Sequence, residues 1–174
     1  MKVLADETRL GGLVEGLARA AEQLMGQRSE PWVIVGVRSR GDVLARRLAE
    51  RVSHNGVGSV DITMYRDDLS AIGPQPVVRT SDLGFGIDEM NVLLVDDVLM
   101  TGRSVRAAMG VLMDYGRPRC IRLAVLVDRG GRELPIAADV AAMKVEAGRD
   151  ELVEVRLRPQ DPEDVIVMYD RPKR

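Results

Sequence analysis

With 174 residues, a formal net charge of −2 and a sequence pI near 5.6, the chain is expected to form one domain, residues 1–174, whose apolar core needs no disulfide or structural metal. The charge balance gives no global attraction to nucleic acid or anionic lipid, and aromatic residues at 3% offer few platforms for stacking single-stranded bases. The single Cys120 excludes an internal disulfide, no apolar run nears the roughly 20 residues of a membrane-spanning helix, and the start Met1-Lys2-Val3-Leu4-Ala5-Asp6-Glu7 is too acidic for a secretory signal, so a cytoplasmic location is expected.

Leu10, Leu13, Val14, Leu17, Ala21 and Leu24 recur at spacings of three and four and predict an opening helix. After Pro31, the continuous apolar run Trp32–Val37 reads as a strand covered on both faces. Beyond the turn Arg38-Ser39-Arg40-Gly41, the residues Val43, Leu44, Leu48 and Val52 predict a second helix that ends near His54-Asn55-Gly56. Val60, Ile62 and Met64 alternate with polar residues as a half-buried strand does. From Arg66 to Glu89 periodicity stops; two prolines, three glycines and four aspartates there predict a functional loop or lid. Val92–Val95 is the next buried strand, followed by Asp96-Asp97 and a helix carrying Val105, Ala108, Met109 and Leu112. Cys120–Val127 supplies another strand, and Leu152–Leu157 and Val165–Tyr169 read as short closing strands. Alternating strands and helices place the chain in the α/β class, with a mostly parallel open sheet and helices on both faces. Ligands of such sheets bind beyond the carboxyl ends of the strands, so the loops after Val37, Val95 and Val127 should line one site.

The most informative segment is Val92-Leu93-Leu94-Val95-Asp96-Asp97-Val98-Leu99-Met100-Thr101-Gly102-Arg103-Ser104. An apolar strand, two carboxylates and a small hydroxyl-rich turn lead into a helix, whose first amides are unpaired and carry partial positive charge. Thr101 to Ser104 can therefore hold a phosphate with amides and two hydroxyls, while Asp96 and Asp97 can accept hydrogen bonds from a ribose diol. The plain alternative is a helix cap following a strand terminus. Two other nucleotide motifs are excluded. Gly36 and Gly41 have the spacing of a phosphate loop, but Asp42 stands where its lysine should be, and no Gly-x-Gly-x-x-Gly follows a strand.

Residues 92–104 resemble the signature of the type I phosphoribosyltransferases. The segments Asp61–Ser70, Val95–Ser104 with Arg106, Leu126–Gly130 and Arg132–Pro135 together resemble one branch, the PyrR family of pyrimidine operon regulators and uracil phosphoribosyltransferases. The likeness covers nearly the whole chain and is weakest before Pro31 and after Asp139. It implies the parallel sheet plus a small hood formed by loops and the C-terminal strands. It further implies that Asp96, Asp97, Val98, Leu99, Met100, Thr101, Gly102, Arg103 and Ser104 bind phosphoribosyl diphosphate, and that Arg38, Ser39, Arg40 and Gly41 hold its diphosphate. Arg66 and Arg79 would close over the site as a lid, and Val127, Asp128 and Arg129 would hold uracil through backbone groups. Asp96, Asp97 and Arg40 are the expected catalytic residues, with Mg²⁺ arriving on the substrate rather than in a protein cage.

The implied reaction is displacement of diphosphate by uracil, giving UMP. Bond breaking at the sugar carbon runs ahead of bond making, so positioning and charge carry the catalysis and no protein nucleophile is needed. The family is also a UMP/UTP-responsive regulator that binds pyrimidine operon leader mRNA, and a homo-oligomer, dimer or tetramer, is expected. Three other readings compete: an RNA-binding attenuator with vestigial activity, a purine-type transferase, and a phospho-accepting receiver domain. The last fits poorly, because about half of the chain precedes the acidic pair. Arg19, Arg46 and Arg47 are the expected residual RNA contacts. Ala18, Glu22, Gly131 and Ala137 stand where RNA-contacting members tend to carry polar or basic groups, so weaker or differently specified RNA binding is expected.

Overall fold

The computed structural model describes residues 1–26, 30–63 and 81–171. Its central strands follow from their composition. Trp32–Val37 (β2) is buried at every position, as an apolar run covered on both faces should be. Next to it runs Asn91–Leu99 (β4), buried from Asn91 to Asp96. Val57–Val60 (β3), Cys120–Asp128 (β5) and Val140–Lys144 (β6) complete a five-stranded sheet of order β3-β2-β4-β5-β6, parallel throughout. In this register Gly36 lies opposite Val95 and Val98 opposite Val127, so the carboxyl ends of β2, β4 and β5 sit side by side.

Helices cover both faces. Glu7–Gly26 (α1) and Gly41–Ala49 (α2) pack with Ile34, Leu93, Val95, Ala124 and Leu126 on one side. Arg103–Tyr115 (α3) packs with Val33, Val35, Val92, Leu94, Leu123 and Val125 on the other. Neighbouring residues of each strand thus serve different cores, the two-residue period of an extended chain. Asp6 starts α1 by accepting the Arg9 N–H at 2.9 Å. A second sheet, antiparallel and of order β1-β8-β7, joins Lys2–Ala5 (β1), Val165–Asp170 (β8) and Glu151–Arg156 (β7) and forms the hood. Among the described residues no helix is long and apolar enough to cross a membrane.

Four elements differ from the sequence expectation. The strand anticipated from Val60 instead ends there, because Val57–Val60 is the part that pairs with β2. Beyond it Ser59 and Asp82 exchange two backbone hydrogen bonds of 2.8 Å. Helix α2 stops at Ala49, and Asn55 turns back to accept the Trp32 N–H at 3.0 Å. Strands β1 and β6 carry no strong pattern of their own; their pairing with β8 and β5 makes them strands.

Candidate active site

The acidic pair is more rigidly held than a loop reading suggests. β4 continues through Leu99, so Asp96 and Asp97 sit inside a ladder with β5, Asp96 opposite Val125. Asp96 is only 6% exposed, and its Oδ1 accepts the Asp97 N–H at 3.0 Å. Burial, then the adjacent charge of Asp97, pushes the Asp96 carboxyl well above its ordinary range. Burial also raises Asp97, against opposing hydrogen bonds and the positive charge of Arg40.

After β4 the chain turns at Met100–Gly102 into α3. Gly102 has φ +90°, a left-handed conformation, and a Cβ there would meet Ile136 at 3.3 Å, so glycine suits the position on both counts. Thr101 Oγ1 accepts the Arg103 N–H at 3.2 Å, and the Thr101 carbonyl accepts those of Glu133 and Leu134 at 3.0 and 3.1 Å. Helix geometry leaves the Ser104 and Val105 amides without intrahelical acceptors, the anion-binding feature expected of this turn. Arg103 is exposed and donates to Glu133 at 2.7 Å. Leu99 points into the α3-side core, so only its backbone faces the turn; its carbonyl accepts the Arg129 N–H at 3.1 Å.

The Arg38–Gly41 loop lies against the same strand end. A Cβ on Gly41 would stand 2.7 Å from the Val95 carbonyl oxygen and 3.2 Å from Asp96 Cα, so the close approach of loop and acidic pair requires glycine. The Arg38–Ser39 peptide is cis. Arg38 donates from its backbone to Val60 and from Nε to Ser59 Oγ at 2.9 Å. Ser39 is exposed, while Arg40 reaches the hood: Nε and Nη2 bind Asp161 at 2.9 and 3.0 Å, and Nη2 contacts Glu154 at 3.3 Å.

The third loop, beginning at Val127, Asp128 and Arg129, is tied to the hood. The Asp128 carbonyl accepts the Val145 N–H at 2.9 Å and the Arg129 N–H goes to Leu99, so both backbone groups are already bonded within the protein. Val127 is buried in the sheet. The Asp128 carboxylate binds Arg132 at 2.6 Å and the Gly130 N–H at 3.1 Å. Burial alone would raise it, but these donors with the charges of Arg132 and Lys144 hold it below its ordinary range. Arg129, 2% exposed, fans its guanidinium over the carbonyls of Ala147, Gly148 and Glu151 and the Met100 sulfur, with Nε left unpaired. Its side chain braces the hood loop.

A cleft of about 820 Å³ opens between the Thr101–Ser104 turn, the Arg129–Glu133 loop and hood residues Ala147, Arg149 and Arg171. Arg149 and Arg171 were not anticipated, since lone arginines in the least family-like part of the chain carry no local signal. Arg66 and Arg79, the expected lid residues, lie outside the described residues. Of the expected RNA contacts, Arg19 and Arg46 are exposed. Arg47 is not free: it binds Asp164 at 2.6 and 3.0 Å and the Arg158 carbonyl at 2.8 Å, anchoring the hood to α2. Ala18 is 3% exposed and faces the core.

The description "Phosphoribosyl transferase domain" belongs to the family model that matches residues 9–158. The bifunctional protein PyrR of Desulfosudis oleivorans is 48% identical over 165 residues, spanning 90% of this chain and 91% of that protein. That of Deinococcus radiodurans is 45% identical over 161 residues, 88% of each chain. The Bacillus cereus (strain B4264) protein is 49% identical over 146 residues, 80% of this chain and 81% of that one. Among solved structures, a hypoxanthine-guanine phosphoribosyltransferase from Bacillus anthracis superposes with TM-score 0.70 at 17% identity, covering 95% of this chain and 96% of that one. The hypoxanthine phosphoribosyltransferase of Trypanosoma cruzi gives 0.65 at 21% identity, covering 98% and 97%. These two likenesses are of fold. The residues matched by the family model and the identities with the curated relatives together show that the chain belongs to the phosphoribosyl transferase family and, within it, to the bifunctional PyrR proteins.

Proposed function

We propose that this chain transfers the phosphoribosyl group of phosphoribosyl diphosphate to uracil, releasing diphosphate and giving UMP. We also propose that the same nucleotide site lets it regulate pyrimidine biosynthesis genes through leader mRNA. The observation that carries the reading is the approach of Gly41 to Val95 and Asp96, which brings a candidate diphosphate loop and a candidate phosphate cradle to one strand end. On this reading the Thr101–Ser104 turn takes the 5′-phosphate, Asp96 and Asp97 take the ribose hydroxyls, and the Arg38–Gly41 loop takes the diphosphate. Attack by the uracil ring nitrogen at the anomeric carbon breaks the bond to the diphosphate oxygen, and the proton of that nitrogen leaves to the diphosphate or to water. The protein supplies orientation and charge, and no side chain forms a covalent intermediate.

Mg²⁺ suits the acidic pair. Two adjacent carboxylates supply only part of an octahedral shell, and the described residues contain no cluster of three or more potential ligands, so diphosphate oxygens and water would complete it. When bound, the ion offsets charge on the leaving diphosphate. The uracil pocket is the cleft between the 127–133 loop and the hood, with Arg129 setting its floor. Both sheets then act as one domain, in a homo-oligomer working in the cytoplasm on soluble metabolites.

The test is a base screen that follows diphosphate release from phosphoribosyl diphosphate and Mg²⁺ with uracil, orotate, hypoxanthine and adenine. Uracil is expected to be turned over and the others far more slowly. Preferential use of hypoxanthine would move the chain to the purine branch while leaving the phosphate cradle in place.

A further inference from the structure

We propose that Asp161, on the turn between β7 and β8, is a positioning residue for the diphosphate loop, acting through Arg40. The proposal rests on the reading of Arg38–Gly41 as that loop. Arg40 stands at the N-cap of α2, where its carbonyl accepts the Leu44 N–H at 3.0 Å, yet its side chain makes no capping bond. Its side chain crosses to the hood, where Nε meets Asp161 Oδ2 at 2.9 Å and Nη2 meets Oδ1 at 3.0 Å, a two-point contact that fixes the plane of the guanidinium.

Asp161 is itself held. Its Oδ2 accepts the Leu157 N–H at 2.9 Å, and its own N–H donates to the Leu157 carbonyl at 2.9 Å. The side chains are 13% and 29% exposed, so water competes little for the pair. With Nε and Nη2 engaged, Nη1 has no protein partner among the described residues and is the nitrogen left for a diphosphate oxygen. Arg40 also lies close enough to Asp97 for its charge to favour that carboxylate, so its placement bears on both halves of the site. The hood is thereby coupled to the strand end where diphosphate would bind.

The turn contains its own control. Three residues on, Asp164 holds Arg47 at 2.6 and 3.0 Å. That pair joins the same turn to the same helix with equal directness, but Arg47 lies beyond the diphosphate loop. If Asp161 only anchored the hood, loss of either carboxylate would have the same effect. If it sets Arg40, only its loss disturbs diphosphate binding.

The experiment compares Asp161→Asn and Asp164→Asn for binding of phosphoribosyl diphosphate with Mg²⁺ by calorimetry, for the KM of each substrate, and for melting temperature. Asp161→Asn is expected to raise the Kd and KM for phosphoribosyl diphosphate on the order of tenfold or more, with the uracil KM within about twofold, as loss of orientation at one subsite predicts. Asp164→Asn should lower the melting temperature comparably and leave those constants near wild type. In a double-variant cycle, Arg40→Met with Asp161→Asn should be no worse than Arg40→Met alone. Glu154→Gln takes the charge from the 3.3 Å contact to Arg40 and from the 3.4 Å contact to Arg156, leaves the Asp161 pair in place, and should give a smaller shift of the same kind, which serves if Asp161→Asn does not fold. Equal effects at positions 161 and 164, no effect at 161, or additive effects in the cycle would overturn the proposal while wild-type turnover upholds the functional reading. A wild type that neither binds nor consumes phosphoribosyl diphosphate would sink that reading, and the proposal with it.

Discussion

Asp97 donates its backbone N–H to the carboxylate of Asp96 at 3.0 Å, so the more buried acid of the pair props the backbone of the other. Because burial and the charge of Asp97 raise Asp96, the fold favours its protonated form. The stability it contributes is present below the ordinary value of 3.8 and lost as pH rises through the raised folded-state value. Asp96→Asn keeps an acceptor for the Asp97 N–H and removes the buried charge. The variant should melt several degrees higher than wild type at pH 7–8, a gain that disappears near pH 4, while its turnover falls roughly a hundredfold or more. Paired melting and rate measurements across that range check both halves; a lower neutral-pH melting temperature would contradict the sign.

Thr101 separates phosphate binding from capping. Thr101→Val preserves shape and the carbonyl that holds Glu133 and Leu134, but removes the hydroxyl that receives the Arg103 N–H. The expected stability cost is about 1 kcal/mol, that of a lost helix-start side chain. The rate should fall on the order of a hundredfold to a thousandfold if the hydroxyl also binds the 5′-phosphate. Near-normal kcat/KM in a folded variant, checked by circular dichroism, would leave Thr101 with the cap alone.

Arg129 should behave as a brace. Arg129→Met removes a buried guanidinium that donates to the part-buried carbonyls of Ala147, Gly148 and Glu151, and each lost hydrogen bond is worth about 1 kcal/mol, so a drop in melting temperature is expected. Arg129→Lys, with one nitrogen in place of a fork, should recover only part. In the lysine variant the uracil KM should rise more than that for phosphoribosyl diphosphate, because the hood loop borders the proposed base pocket. Equal rises would place Arg129 outside base selection.

RNA binding should be weak and show a shallow salt dependence. Arg19 and Arg46 are exposed, but Arg47 is committed to the hood and the exposed positions Gly131 and Ala137 bring no donor. Glu22, exposed on α1, adds negative charge and accepts the Ser53 N–H at 3.0 Å. Few neutralised phosphates mean a small slope of log affinity against log salt. Filter-binding titrations of the leader RNA of its own pyrimidine genes, with and without UMP at several salt concentrations, measure this. Arg19→Ala with Arg46→Ala should abolish what binding remains. Tight, nucleotide-stimulated binding at physiological salt would show that other residues form the RNA surface.

Periodicity and local chemistry made much of this protein legible from sequence. The short apolar runs at Trp32–Val37 and Val92–Val95, bounded by turn residues, read as buried strands, and the three-and-four spacing from Leu10 to Ala21 reads as a helix, because both signals follow from chain geometry within a few residues. The turn at Gly102, entering a helix, was legible for the same local reason. Tertiary structure decided the partners. No pattern near Arg40 or Arg47 announces acids more than a hundred residues away on a hood turn, and nothing near Arg129 reveals that three carbonyls of another loop will surround it. β6, poor in strand formers, became a strand because β5 offered it a ladder. Loop residues alone suggest what a site can bind. How their charges are held depends on which distant segments fold against them, since in a buried site each donor must find its acceptor in space and not along the chain.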